Sequence, residues 1–207
     1  MADNTIEIIG TGGILEGNLA TADINVNLDP SLYFDGTAKI DMNDTDQTAP
    51  FTFSAWINFS SYKDTESWTI ANKLNSWYFY IKESTDKLRF DLTGLSPSYN
   101  RLSAADTAPL LEGGWNHVGV TFDTSGNSAI YINGVCKNTV THSGTLAQTA
   151  DDLVIGQGAT GAHALGYIAD VKIFNVELDS GTATGASGPD MSKLASKVNY
   201  DTVSLGP

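Results

Sequence analysis

Cysteine is all but absent from this 207-residue chain: Cys136 stands alone, so neither an intrachain disulfide nor a cysteine metal cluster can form. Arginine is almost as scarce, with Arg89 and Arg101 the only two, and the formal net charge is -13. So acidic a surface lacks the cations that dominate attraction to a phosphate backbone, and it is repelled by anionic lipid. Nucleic acid is therefore excluded as an expected partner. No apolar run approaches the ~18 residues of a spanning helix, so membrane insertion is not expected either. Met1-Ala2-Asp3-Asn4 has neither the basic start nor the apolar stretch of a secretory signal, and synthesis in a cytoplasm without a signal peptide is the expectation.

Glutamate is sparse as well. Glu7, Glu16, Glu66, Glu83, Glu112 and Glu177 are the only six, and no two stand near each other in sequence. Glycoside hydrolysis needs two carboxyl groups ~5–10 Å apart, and the nearest imitation, Glu83 with Asp86, falls in a polar turn. His142 and His163 sit in Ser/Gly/Ala-rich stretches with no serine elbow or partner acid beside them. His117, on a strand, reads as a packed residue rather than a catalyst, and Cys136 as a small, partly buried side chain. The chain is expected not to be an enzyme.

What is present is apolar alternation. Apolar residues make up 41% of the chain, enough for one domain that buries roughly 70% of its unfolded surface. In 51–59 the odd positions Phe51, Phe53, Ala55, Ile57 and Phe59 are apolar, a period of two over nine residues. Segments 77–81 and 88–92 flank a polar turn and predict a hairpin. Residues 116–122 alternate again, and Asn133-Gly134 between apolar runs predicts a tight hairpin. Segments 153–156 and 167–174 add further strands. Strands at intervals of ~8–12 residues predict an all-β fold, a sandwich or barrel. Three zones follow: 1–30, an N-terminal arm or first strands; 31–179, the β-sandwich; and 180–207, a Gly/Ser/Ala-rich tail with one short helix at 191–198, capped by Ser187 or Asp190.

Four segments in order carry a resemblance: Leu32-Tyr33-Phe34-Asp35-Gly36, then 51–57, then 114–123 leading into 130–134, and last Gly166-Tyr167-Ile168-Ala169-Asp170 through Asn175, closed by Leu178. Together they resemble the laminin-G-like, concanavalin A-like lectin and glucanase family over residues 31–179. The resemblance implies a jelly roll of two antiparallel sheets face to face, used for binding sugars or proteins, sometimes with calcium at the rim. Glucanases of that family carry Glu-x-Asp-x-x-Glu on a strand, which this chain lacks. It also carries Ala169-Asp170 where the family has an acidic pair.

With Phe79 and Ile81 facing the core, Tyr78 and Tyr80 face outward, joined by Arg89 and Asp91 of the partner strand. Trp68, in the polar stretch before them, and Tyr99 and Asn100, in a loop after them, complete the candidate ligand-binding set; Trp56 lies opposite its apolar row. Flat rings and polar groups are what sugar faces and hydroxyls require. No cofactor is expected beyond a calcium ion, for which Asp41, Asp44 and Asp46 are the candidate ligands and Asp151-Asp152 a second pair. The expected function is a non-enzymatic recognition or structural module, a lectin-like sandwich displayed on a virion as a phage head decoration or fibre protein. Its partner is a glycan or protein surface, with self-association or docking through the termini. A free carbohydrate-binding lectin is the alternative, and a glycoside hydrolase a third reading.

Overall fold

The computed structural model describes residues 7–9, 31–44, 47–59, 67–82, 87–101, 114–158, 162–178 and 191. Within them the strands are β1 Glu7–Ile9, β2 Leu32–Asp35, β3 Lys39–Asp41, β4 Phe51–Phe59, β5 Trp68–Lys73, β6 Trp77–Lys82, β7 Lys87–Leu92 and β8 Leu95–Ser96. After these come β9 Tyr99–Arg101, β10 Asn116–Phe122, β11 Asn127–Ile132, β12 Val135–Thr141, β13 Ser143–Gly144, β14 Leu153–Ile155 and β15 Leu165–Phe174. A seven-stranded antiparallel sheet runs β1-β3-β14-β5-β6-β7-β9, and a six-stranded one runs β12-β11-β10-β4-β15-β2. The all-β expectation holds, and both predicted hairpins form: Trp77 pairs with Leu92 and Ile81 with Leu88, while Ile132 pairs with Val135. Asn133 and Gly134 both have positive φ, 50° and 76°, as a two-residue turn matched to strand twist requires.

The alternate rows read from the sequence form the core. Phe51, Phe53, Ala55, Ile57, Leu88, Phe90, Val118 and Val120 are fully buried. Rings of the two sheets interlock between them: Phe51 lies 5.9 Å from Trp77 and Phe53 6.0 Å from Phe79. Burying such large apolar side chains from both sheets is the dominant stabilising term.

Two features depart from simple alternation. On β4 and β10 the outward residues are buried too, Thr52, Ser54, Gly119 and Thr121 among them. Their cover is the chain's own C-terminal part: the Thr52 hydroxyl donates to the Val176 carbonyl and accepts from the Leu178 N–H, and the helical residue Met191 is fully buried beside Leu178 and Tyr131. The rest of the predicted helix 191–198, with its caps, lies outside the described residues. At the other end, Glu7–Ile9 pairs with Lys39–Asp41 in register and so lies on this chain's own sheet. Of the two readings of residues 1–30, an arm or first strands, these three residues follow the second, with the strand beside them supplying the backbone hydrogen bonds.

Candidate functional site

The outer face of the seven-stranded sheet is set by register. One cross-strand row runs Asp41, Val154, Asn72, Tyr78, Asp91, Tyr99, and the next runs Thr69, Tyr80, Arg89. The sequence reading placed Tyr78, Tyr80, Arg89 and Asp91 together outward, and the structure does bring them together. Tyr78 and Tyr80 stack with centroids 4.1 Å apart and planes 15° apart. The Arg89 guanidinium lies 4.7 Å from the Tyr99 ring centroid and 5.9 Å from that of Tyr80. Arg89 Nε donates to one Asp91 oxygen at 2.5 Å and the Tyr80 hydroxyl to the other at 3.1 Å. Tyr80 is only 6% exposed, a pillar under this cluster rather than a contact surface. Burial, and then the Asp91 charge, push its hydroxyl far above the ordinary phenol range. Burial opposes the charge on Arg89, but the Asp91 hydrogen bond and carboxylate raise its pKa overall, so it is a permanent cation.

Tyr78 is pinned at its far end. Thr69 spends its only proton on the Ala162 carbonyl at 2.6 Å, so the Tyr78 hydroxyl, 2.7 Å away, donates to Thr69 Oγ1. Gly158 lies directly over this contact, where a Cβ would sit 2.4 Å from Tyr78 Oη. Asn72 holds the same loop by donating to the Gln157 carbonyl at 2.8 Å. Beside Tyr78 opens a cleft of about 320 Å³ lined by Lys39, Asp41, Asn72, Asp152, Gln157 and Gly158 with their neighbours. Its volume is in the range of small-ligand sites.

Asn72, Thr69, Gln157 and Gly158 went unread in the sequence. A β-bulge between Thr69 and Ala71 shifts the phase of β5, so Thr69 and Asn72, three positions apart, share the outer face. Strict alternation puts residues three apart on opposite faces, which hides the pair.

Two of the predicted ligand residues are corrected. Trp68 is fully buried on β5, with its indole N–H donating to the Leu165 carbonyl at 2.9 Å and its ring against Phe59. It ties the two sheets together and offers no surface. Asn100 lies on β9, not in a loop, and is fully buried, donating to the Ser128 carbonyl and hydroxyl and accepting from Asn138. His142 joins the same cross-sheet network through Ser128 and the Pro97 carbonyl. Both residues are polar or amphipathic types whose buried partners come from distant strands.

The two described members of the calcium set, Asp41 and Asp44, are engaged by lysines. Asp44 Oδ1 is 2.6 Å from the buried Lys73 ammonium, which also donates to the Asp151 carbonyl at 2.8 Å, and Asp41 pairs with Lys39 at 3.3 Å. Lysine cations hold these carboxylates, whereas calcium requires six to eight oxygens. Asp46 lies outside the described residues, and among those described no three His, Cys, Asp or Glu gather as metal ligands. Asp151 accepts from Asn75 at 3.2 Å. Ala169, where an acid was expected by resemblance, is 2% exposed against Trp56 and Trp115, a place that favours a small apolar side chain.

No curated protein matches the chain by sequence. Among solved structures it is similar to domain 4 of AbnA, an extracellular GH43 arabinanase from Geobacillus stearothermophilus solved with arabinotriose, at 17% identity and a TM-score of 0.59, over 80% of this chain and 76% of that one. It is similar to the binding domain of botulinum neurotoxin serotype D at 19% identity and a TM-score of 0.61, over 93% of this chain but only 51% of that one, so it spans about half of that domain. A third likeness is to the heptameric SAP-like pentraxin of Limulus polyphemus, at 18% identity and a TM-score of 0.57, over 94% and 82% of the two chains. These likenesses show the jelly-roll fold. The family profile described as the concanavalin A-like lectin/glucanases superfamily matches residues 34–182, and the chain belongs to that superfamily.

Proposed function

We propose that this chain is a non-enzymatic carbohydrate-recognition module that binds an uncharged saccharide across the outer face of its seven-stranded sheet. The observation that carries the reading is the pinned Tyr78, stacked on Tyr80 in one cluster with Arg89 and Tyr99, and flanked by Asn72 and Gly158, which line a cleft of about 320 Å³. A fixed ring next to amides and carboxylates is preorganised for one sugar face and its hydroxyls. The acidic cleft wall and the net charge of -13 disfavour acidic sugars. A solved relative lends support, since the AbnA domain was solved with arabinotriose. Catalysis is not part of the reading, because Asp91 is held by Arg89 and Tyr80 and Asp41 by Lys39. We place the module on the surface of a virion, as a decoration or fibre component; the acidic composition and the Gly/Ser/Ala-rich stretch after residue 179 support that context.

The test is an array of neutral and acidic oligosaccharides, followed by titration calorimetry of whatever is retained. Retention of neutral saccharides, with affinity lowered about tenfold or more by Tyr78→Ala and by Arg89→Ala, is the expected result, tenfold being about 1.4 kcal/mol. Binding that survives both substitutions removes the site. Immunogold labelling of particles in the native source tests the virion placement.

A further inference from the structure

The six-stranded sheet carries an aromatic surface of its own, on the opposite side of the molecule. Tyr33 of the edge strand β2 alternates with the core residue Phe34, faces away from the core, and is 55% exposed. Its register partner on β15 is Tyr167, whose partner on β4 is Asn58, so Tyr33, Tyr167 and Asn58 form one outward row. The Tyr33 and Tyr167 rings lie 5.0 Å apart and 57° to one another, and Trp115 adds a third ring 6.2 Å from Tyr167 at 48°. In the adjoining row of the same face Trp56 and Ala169 are buried, with Trp115 packed against them.

We propose that Tyr33, Tyr167 and Trp115 form a second saccharide platform that takes an uncharged glycan, so that the sandwich binds sugar on both of its sheets. Three observations commit the site to that occupant. The row Tyr33, Tyr167, Asn58 contains no charged side chain, and the outward charge beside it on β2 is an acid, Asp35, so the surface disfavours an anionic ligand and offers no cation to one. Each of its members pairs an apolar face or stem with a hydroxyl or amide, which is what the C–H face and hydroxyl rim of a sugar ring need together. The surface is also small. Three side chains, two of them partly buried, fall far short of the ~800 Å² that each partner of a stable protein interface contributes. Among the described residues, the other large exposed apolar side chains, Leu74, Val135 and Val176, lie in other segments of the chain. The tilted rings make a shallow trough, and Tyr33, on an edge strand, is reachable by an extended chain.

The experiment compares wild type, Tyr33→Ala, Tyr33→Phe and Tyr78→Ala on one array of neutral and acidic oligosaccharides, with molecular mass by light scattering and thermal midpoint on each. Expected is a set of neutral saccharides whose signal falls about tenfold in Tyr33→Ala, is largely kept in Tyr33→Phe, and is unaffected by Tyr78→Ala, tenfold being about 1.4 kcal/mol. The thermal midpoint of Tyr33→Ala should match wild type, because the ring is mostly outside the core. The second platform is overturned if every retained saccharide depends on Tyr78 alone, if only acidic glycans bind, or if none binds. It is equally overturned if Tyr33→Ala turns an oligomer into a monomer, which would make this surface a protein contact. Loss of Tyr78 dependence with Tyr33 dependence kept would remove the first site and leave the second standing.

Discussion

His117 sits on β10 at 1% exposure with its ring 5.4 Å from that of Trp56. Burial lowers its pKa from 6.5 to about 4; the Asp170 carboxylate opposes the shift and the Lys172 ammonium adds to it. A depressed folded pKa means that the unfolded chain binds the proton first. The stability this histidine contributes is therefore complete above pH 6.5 and is lost as pH falls toward 4. Between pH 7 and pH 5 the linkage amounts to about 2 kcal/mol. Asp35, lowered from 3.8 chiefly by hydrogen bonds from Thr37, titrates below that window and does not obscure it. Denaturant unfolding of wild type and His117→Gln at the two pH values is the check: the variant should lose the slope. An equal slope in both proteins would assign it elsewhere. Gly158 offers a second test on a single atom. In Gly158→Ala the new methyl meets Tyr78 Oη at 2.4 Å and Thr69 Oγ1 at 2.8 Å, contacts that force the Tyr78 ring or the loop to move. Overpacking of this kind costs about 1–3 kcal/mol. Saccharide affinity at the Tyr78 face should fall with stability, while binding at Tyr33 stays intact.

At the scale of elements, how far the sequence could be read follows from which interactions are local. Strands β4, β6, β7 and β10 have core rows at period two, so Phe51 to Phe59 and Leu88 to Leu92 could be assigned a face directly, and with them the outward Tyr78, Tyr80, Arg89 and Asp91. Asn133-Gly134 declared its turn because few residue pairs accept two positive φ values in succession. Trp68 and Asn100 were misplaced because their partners, Leu165 and Ser128, lie 97 and 28 residues away, and no local pattern encodes a pairing across sheets. The burial of both faces of β4 and β10 was likewise hidden, since its cover, Val176, Leu178 and Met191, lies more than 50 residues beyond either strand. The methionine gives the element-scale test. Met191 is fully buried, and Gly119 leaves it room: a Cβ at position 119 would lie 2.8 Å from Met191 Cε and 3.2 Å from the Phe53 carbonyl. Met191→Ala is expected to cost about 2–5 kcal/mol in denaturant unfolding, as buried methionine truncations do. A chain ending at residue 179, with its N-terminal part intact, should show at least that loss while keeping a β-sheet circular dichroism spectrum. A truncated chain as stable as the whole would mean that Met191 contributes nothing.

At the scale of the whole molecule, the two sheets end in edges, and edges decide how such a sandwich meets its neighbours. The six-stranded sheet is bounded by β12, which carries Lys137 as its third residue, and by β2, only four residues long; a charge and a short strand both discourage pairing with another chain. On the seven-stranded sheet the outermost position beside β3 is taken by Glu7–Ile9. Deleting residues 1–30 would bare the backbone of Lys39–Asp41 and leave a strand with open N–H and C=O groups next to the cleft lined by Lys39 and Asp41. The N-terminal segment therefore guards the edge, and its removal is expected to promote self-association rather than prevent it. Light scattering should show a rise in mean mass with concentration for the deletion and none for the intact chain, with a lower thermal midpoint in dilute solution. Lys39→Pro placed in the deleted chain should suppress the association, because proline cannot donate to a ladder on an edge strand. If the deletion keeps both mass and midpoint unchanged, the pairing of Glu7–Ile9 with β3 contributes nothing to the edge, and the surface that sets the oligomeric state lies elsewhere on the sandwich.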